Sequence, residues 1–192
     1  MAIELEAKIK VDSHDAVRAR LVERGADRLG CVLETNHIFD DAEGTLLAGD
    51  RGLRIRTCHR QQGQSPPPTM TYKGPRQPGP LKQREEIQIT LDDPDKGRGL
   101  LEALGFVEVL CFEKRRESWR LHPCRVELDE LPYLGRYVEI EGPSEQEVRR
   151  AWESLGLGGP TPIRDSYVHL LVGYCRQRGM SPTAITFQKA AQ

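Results

Sequence analysis

Carboxylate and ammonium groups alternate with apolar side chains in the first segment of the chain, IELEAKIKV. Glu4, Glu6 and Lys8 fall on one side of this segment, and the other side is aliphatic. Strict alternation is typical of a β-strand with one buried and one polar face. Two carboxylates spaced two residues apart lie roughly 7 Å apart and repel one another unless a cation lies between them. Such a face either contacts solvent or lines a charged cavity.

Pairs of like charge at the same spacing recur in later alternating segments. The further pairs are Arg54 and Arg56, Lys114 and Arg116, Glu127 and Asp129, and Glu139 and Glu141. Lys73, Arg84 and Glu86 also lie on the polar faces of their segments. For any single strand, a solvated outer face explains this pattern. Its repetition, together with helices that could cover the aliphatic faces, favours a polar face that points inward.

Two kinds of ligand suit an enclosed surface of this composition. Carboxylates that face one another favour a hard divalent cation such as Mg²⁺ or Mn²⁺, which takes oxygen ligands. Guanidinium groups match the geometry of phosphate oxygens. A chain of phosphates bridged by divalent cations satisfies both requirements and is nearly neutral.

The elements that must position these residues are mostly consecutive strands. Alternation predicts strands near 3–11, 29–41, 51–60, 69–74, 81–91, 107–121, 124–131 and 134–141. Helical spacing and capping residues predict helices near 14–25, 92–104, 144–156 and 166–176. Consecutive strands with few helices favour an antiparallel α+β fold. We therefore expect a closed eight-stranded antiparallel β-barrel, or tunnel, with helices packed outside.

Length and composition limit the classes of function. The 192 residues suit one domain at 1–176 followed by a loosely held tail at 177–192 that has no clear partner. A net charge of −1 and only 6% aromatic residues disfavour nucleic-acid binding. The five scattered cysteines indicate reduced thiols, and no apolar run suits a membrane span. We expect a cytoplasmic protein that does not bind membranes.

Taken together, the ordered motifs resemble those of the CYTH family, also called triphosphate tunnel metalloenzymes. The signature Glu-x-Glu-x-Lys stands at residues 4–8. The later motifs are Leu-Arg-Ile-Arg at 53–56, Tyr-Lys-Gly at 72–74, Arg-Glu-Glu at 84–86, Glu-Lys-Arg-Arg at 113–116, Glu-Leu-Asp at 127–129, Glu-Ile-Glu at 139–141 and Ser-Tyr at 166–167. The segment order looks most like the class IV adenylyl cyclase group.

The resemblance implies a tunnel that binds a triphosphate, ATP or tripolyphosphate, with Mg²⁺ or Mn²⁺. By the family pattern, the phosphate-binding residues are Lys8, Arg54, Arg56, Lys73, Arg84, Lys114, Arg116 and Arg164. The metal-binding residues are Glu4, Glu6, Glu127, Asp129, Glu139 and Glu141. Glu4, Glu6, Lys8 and Lys73 would be catalytic, whereas Arg84 and Glu86 could instead form a structural ion pair in the wall. The family also makes a homodimer plausible.

Three functions remain open from the sequence. A cyclase would direct the 3′-hydroxyl of ATP at the α-phosphate, and a triphosphatase would direct water at the terminal phosphate. A thiamine triphosphatase is disfavoured because Ile38 stands where that branch carries a tyrosine. A non-catalytic sensor of polyphosphate or nucleotide would not need the carboxylates that this chain retains.

Overall fold

Nine strands occupy the alternating segments and one short stretch of the predicted tail. The computed structural model describes residues 2–159 and 161–190, with side chains from residue 4 onward. The strands are β1 (Ala2–Val11), β2 (Asp27–Asp40), β3 (Gly52–His59), β4 (Thr69–Lys73), β5 (Lys82–Thr90), β6 (Val107–Leu121), β7 (Cys124–Leu131), β8 (Gly135–Glu141) and β9 (Ala184–Ile185). The predicted strand boundaries agree with these to within two residues.

The sheet closes on itself. Its order is β2-β3-β4-β5-β1-β8-β7-β6, and β6 pairs back to β2. Every pairing in this ring is antiparallel. The prediction of a closed eight-stranded antiparallel barrel with an α+β composition is therefore confirmed. Because closure leaves no free edge within the ring, each strand presents one face to the interior and one to the exterior.

Six helices accompany the barrel in the part of the chain that the structure describes. They are α1 (Asp15–Glu23), α2 (Thr45–Ala48), α3 (Pro94–Ala103), α4 (Glu145–Ser154), α5 (Tyr167–Arg178) and α6 (Phe187–Ala190). Local capping fixes where three of them begin. The side chains of Asp93, Ser144 and Ser166 accept hydrogen bonds from backbone N–H groups in the first turns of α3, α4 and α5.

Three of the helices pack on the outer face, as predicted. Val17 and Leu21 of α1 join Val148 and Trp152 of α4 in a buried cluster with the outward aliphatic residues of β1, β7 and β8. Leu101 of α3 packs on β2 and β3 in a second cluster. These contacts cover the apolar faces and leave the ionic faces to the interior.

Helix α5 is placed differently, because it closes one end of the barrel. Ile38 shares the inward face of β2 with Glu34 and Asn36, and it is buried in one cluster with Tyr167 and Leu171 of α5. Inward residues of β6, β7 and β8 contribute to the same cluster. At this end the interior is apolar, and α5 covers it because those side chains need a partner there.

The segment after α5 has a partner that the sequence analysis did not find. β9 pairs in parallel with β6 at Cys111 and Phe112. Ile185 is 1% exposed and joins the apolar cluster under α5. Burial of this one side chain and its strand pairing hold the segment against the barrel. None of the helices in the described part of the chain is long and apolar enough to cross a lipid bilayer.

Candidate active site in the barrel lumen

The inward faces of the strands enclose two connected cavities. The wide cavity has a volume of about 830 Å³, and the narrow cavity, next to α5, has about 110 Å³. Residues that line both cavities are Glu4, Arg54, Arg56, Lys73 and Arg116. The side chains that the sequence predicted to share an inward face therefore line one or both cavities, with the exception of Asp129, and the junction between the cavities is the most charged part.

The narrow cavity is strongly basic. Four acidic residues line it, against nine basic ones, namely Lys8, Arg51, Arg54, Arg56, Lys73, Lys82, Arg84, Lys114 and Arg116. The wide cavity is nearly balanced, with five acidic and six basic residues in its wall. A polyanion would therefore be most stable in the narrow cavity and at the junction.

Glu4 and Glu6 of β1 are held by lysines of β4 and β5. Glu6 lies 2.8 Å from Lys82 Nζ, and Glu4 lies 3.2 Å from Lys73 Nζ. Lys82 also contacts Glu4 at 3.8 Å. Burial lowers the pKa of Lys82, but the carboxylates of Glu6 and Glu4 raise it above its usual value. The same alternation that identified Arg84 also places Lys82 on the inward face, so the sequence contained the signal for this residue.

Burial has the opposite outcome at Lys73. Desolvation of its ammonium group lowers the pKa of Lys73 in spite of the nearby Glu4 carboxylate. Glu86 of β5 forms an ion pair with Lys73, and Arg84 forms one with Asp50 at 3.2 Å. Arg84 and Glu86 thus each have a separate partner and do not form the structural pair that the sequence allowed.

Lys8 lies deep in the lumen against α5. Its Nζ is 3.2 Å from Glu139, donates a hydrogen bond to the Asp165 carbonyl at 2.9 Å and lies 4.1 Å from the centre of the Tyr167 ring. Burial alone would raise the pKa of Glu139, but Lys8 and Arg116 lower it well below its usual range. The contacts of Lys8 therefore hold its amino group at the narrow end of the lumen.

Both carboxylate oxygens of Asp129 accept hydrogen bonds from neighbouring side chains inside the wall. It accepts hydrogen bonds from Arg116 at 2.7 and 2.6 Å, from Lys114 at 3.2 Å and from the Tyr167 hydroxyl at 3.0 Å. It lines neither cavity. The predicted role of Asp129 as a metal ligand is therefore not supported by its surroundings, which instead assign it to orienting Lys114 and Arg116.

Glu34 is a lumen residue that the sequence analysis missed. This 2% exposed carboxylate lies 3.2 Å from Arg56 and 3.3 Å from Lys114. Burial would raise its pKa, but Arg56 and Lys114 lower it far below the usual range. Segment 29–41 carries no pair of like charges spaced two residues apart, so the criterion that identified the other strands did not apply to it.

Arg54 is the cation of the junction that lacks hydrogen-bond compensation. Its Nε is buried and has no hydrogen-bond partner among the described residues. Burial and the neighbouring Arg56 lower the pKa of Arg54 to about 10. A buried guanidinium N–H without a partner carries a desolvation penalty that a bound anion would remove.

Glu141 shows the converse imbalance at the wide cavity. Burial and the carboxylates of Glu4, Glu6 and Glu86 raise its pKa. Across the pair of strands it lies directly opposite Glu6. Glu127, which also lines the wide cavity, is bound by Ser118 and by Arg125 at 2.8 Å. Carboxylate oxygens that converge in this way fit a hard divalent cation, so Glu4, Glu6, Glu139 and Glu141 are suitable ligands and Glu127 a further one.

Arg164 lies outside the lumen. It is exposed, lines neither cavity and donates a hydrogen bond to the Gln77 carbonyl at 3.0 Å. The predicted phosphate contact is therefore not part of this arrangement. Tyr167, next to it in the Ser-Tyr motif, does reach the lumen, with Lys8 and Lys114 over its ring.

Comparison with known proteins agrees with this geometry. The sequence model of the CYTH domain matches residues 2–167. The chain belongs to the CYTH family. The resemblance inferred from the ordered charged motifs is thereby confirmed.

Two relatives of the chain are named as adenylate cyclases. The “Putative adenylate cyclase” of Methanocaldococcus jannaschii is 28% identical over 177 residues, which cover 88% of this chain and 98% of that protein. The adenylate cyclase CyaB of Aeromonas hydrophila is 30% identical over 141 residues, or 71% of this chain and 67% of that one. A Hippeastrum protein, named a “Putative adenylyl cyclase” and described as having a dominant triphosphatase activity, shares the fold. Its TM-score is 0.61 at 20% identity, with 92% of this chain and 88% of that chain covered.

Proposed function

We propose that this chain is a divalent-cation-dependent enzyme that acts on a triphosphate, and that its reaction is that of a class IV adenylyl cyclase, ATP to cyclic AMP and pyrophosphate. One observation carries the proposal. Arg54 and Glu141 line the same wide cavity. The buried Nε of Arg54 has no hydrogen-bond partner among the described residues, and the carboxyl group of Glu141 has a raised pKa. The first favours a bound anion and the second a bound cation, which a metal–triphosphate complex supplies together.

The triphosphate would lie across the junction and into the narrow cavity. Arg54 of β3 and Arg116 of β6, the two strands that flank β2, line the junction, and Lys8 and Lys114 stand at the α5 end. Guanidinium groups bind phosphate oxygens in a bidentate way, whereas the lysines act as point charges. The proposed phosphate-binding set is Lys8, Arg54, Arg56, Lys73, Lys82, Arg84, Lys114 and Arg116.

Mg²⁺ or Mn²⁺ would be held by Glu4, Glu6, Glu139 and Glu141. When bound, such a cation neutralises charge on the phosphates and lowers the pKa of a hydroxyl group that it contacts. Lys73 and Lys82 neutralise Glu4 and Glu6 in its absence, so binding would exchange those ion pairs for contacts with the metal. The lysines are then free to contact phosphate oxygens.

The placement of these groups favours chemistry at the α-phosphate. Leu29, Val32, Pro66, Pro67 and Ile87 line the wide cavity, which offers room and apolar surface for a nucleoside. With the nucleoside there and the terminal phosphates in the narrow cavity, the α-phosphate lies at the junction, next to Glu4. The 3′-hydroxyl oxygen would bond to the α-phosphorus as pyrophosphate leaves toward the basic end.

A triphosphatase is the second candidate. No aromatic ring is among the described side chains of the wide cavity, so nothing there stacks on a base. Trp119 is buried in the outer cluster with α1 and α4. The Hippeastrum protein also indicates that this fold accommodates triphosphatase activity. In that reaction the terminal phosphate, rather than the α-phosphate, would lie beside the carboxylates.

The experiment offers ATP and tripolyphosphate in separate reactions, each with Mg²⁺ or Mn²⁺, and resolves the products. Cyclic AMP with pyrophosphate is the expected result. ADP with phosphate, or cleavage of tripolyphosphate alone, would establish the triphosphatase. Absence of any product, with polyphosphate still bound, would contradict an enzyme and support the sensor.

A further inference from the structure

Outside the lumen, three metal-ligating side chains converge on the barrel wall beside α3. The imidazole of His37, the carboxylate of Glu108 and the thiol of Cys111 bring one ligand atom each to within 4.8 Å of one another. His37 Nδ1 and Glu108 Oε2 are 3.0 Å apart. None of the three lines either cavity of the lumen.

A break in the strand pairing produces this cluster. His37 of β2 lies directly opposite Cys111 of β6, but Phe39 lies opposite Glu108, so Val109 is an extra, unpaired residue. In a regular strand, residues three apart point to opposite faces. The bulge at Val109 reverses that parity and brings Glu108 to the outer face that Cys111 and His37 share.

A positive group already contacts two members of the cluster. Arg98 of α3 forms an ion pair with Glu108, and its Nη2 lies 3.1 Å from His37 Nδ1. A ring nitrogen either donates or accepts, so His37 Nδ1 can satisfy only one of its two contacts with Glu108 and Arg98. A metal ion would bind the lone pair of the His37 ring nitrogen and neutralise the carboxylate of Glu108 at the same time.

We propose that His37, Glu108 and Cys111 form a second metal site that binds Zn²⁺ or a similar borderline transition metal, with Arg98 as the cation that the metal displaces. Imidazole nitrogen, thiolate sulfur and carboxylate oxygen are the ligand types that Zn²⁺ takes, and zinc sites with three protein ligands keep a water in the fourth, tetrahedral position. Mg²⁺ prefers oxygen ligands throughout and does not suit this site.

The side chains of the cluster need to move only slightly to bind a metal. Zinc-bound ligand atoms lie about 3.5 Å from one another, so the cluster must contract by roughly 1 Å. The side chains of His37 and Glu108 are 18% and 26% exposed, which leaves a path from solvent. Burial and Glu108 raise the pKa of the Cys111 thiol, so a metal must displace its proton when it binds.

The test uses Co²⁺ as a spectroscopic probe of the reduced, full-length protein in excess Mg²⁺. We expect one equivalent of Co²⁺ to bind with a thiolate-to-metal absorption band that Zn²⁺ abolishes by competition. Cys111→Ser should remove the band, and His37→Ala should weaken Co²⁺ binding at least tenfold. Arg98→Ala should strengthen binding, because the competing cation is gone. Cys31→Ser, at an exposed cysteine outside the cluster, is the matched control and should keep the band.

Two results would overturn the proposal. One is the absence of a thiolate band in the unmodified protein. The other is a band that survives Cys111→Ser or disappears in Cys31→Ser. Circular dichroism of each variant distinguishes loss of the site from loss of the fold, and His37→Ala tests the site independently of the thiol.

Discussion

Among individual residues of the lumen, most charges have a partner in the wall. Asp129, Glu34 and Glu139 each contact at least two basic groups. Arg54, Lys73 and Glu141 are lumen residues whose surroundings disfavour their charged forms. Residues that disfavour their own charge in a cleft mark a functional site better than residues in satisfied pairs.

Replacement of Glu141 should lower the turnover rate without lowering the stability of the fold. Glu141→Gln should lower turnover by about 100-fold or more, since even the outer-shell partners of a metal contribute up to that factor. Because the pKa of Glu141 is raised in the folded state, the stability of the parent falls as the pH rises from the unfolded-state pKa of about 4.3 through the folded value. At pH 7 the Gln variant, which carries no charge there, should therefore be as stable as the parent or more so.

Assays of turnover and urea unfolding check both parts of this prediction. Glu145→Gln, on the outer surface of α4, is the control and should change neither quantity. Full activity of Glu141→Gln would remove this residue from the metal site. Glu6 differs from Glu141, because it is buried against Lys82 and Lys8, so its loss would also lower stability.

Loss of the Glu34 carboxylate should instead destabilise the fold. Glu34→Gln leaves Arg56 and Lys114 without their shared counter-charge, and breaking a buried pair typically costs about 3–5 kcal/mol. Glu130→Gln, which breaks an exposed pair with Arg115, should cost under about 1 kcal/mol. Urea unfolding at neutral pH measures both.

The pH dependence of the Glu34 effect has a definite sign. Its pKa is depressed in the folded state, so its contribution is present above the unfolded-state pKa of about 4.3 and is lost as the pH falls toward the folded value. The difference in the free energy of unfolding between parent and variant should therefore narrow in acid. A loss no larger than that of Glu130→Gln at pH 7 would contradict this account.

At the scale of elements, alternation predicted the barrel because each strand keeps its polar face inward. The β1 residues Glu4, Glu6 and Lys8 line the lumen as their spacing indicated. Register could not be predicted, because it depends on which strands pair. For that reason the sequence did not show that Asp129 is neutralised by Arg116, or that a bulge at Val109 turns Glu108 outward.

The position of α5 was also beyond sequence reasoning. Its apolar residues indicate a buried face but not which surface covers it. Only the apolar inward residues at one end of the barrel, such as Ile38 and Leu110, make that end the surface that α5 covers. The same cluster explains why β9 docks where a loose tail was expected.

The docking of β9 should contribute measurably to the free energy of unfolding. Ile185→Ala should lower the free energy of unfolding by about 2–5 kcal/mol, as expected for removal of a fully buried isoleucine side chain. Ile87→Ala on β5 is the matched control, because Ile87 is 48% exposed and should lose far less. Equal losses in the two variants, measured by urea unfolding, would mean that β9 does not contribute to the folded domain.

For the whole molecule, a net charge of −1 conceals a strong separation of charge. Basic residues outnumber acidic ones nine to four around the narrow cavity, while the wide cavity is nearly balanced and brings five carboxylates together. A nearly neutral protein can therefore attract a polyanion into its interior without a basic outer surface. The composition alone could exclude a general affinity for polyanions, but it could not locate this internal one.

The central claim is that the lumen binds a triphosphate, and calorimetric titration of tripolyphosphate into metal-free protein tests it most directly. We predict saturable binding that weakens with ionic strength and that Arg54→Met weakens at least tenfold, or about 1.4 kcal/mol. Arg115→Ala, on the outer face of β6, is the control and should bind as the parent does. Absence of binding, or equal affinity in the parent and Arg54→Met, would contradict the account and leave the charged lumen as a structural network of ion pairs.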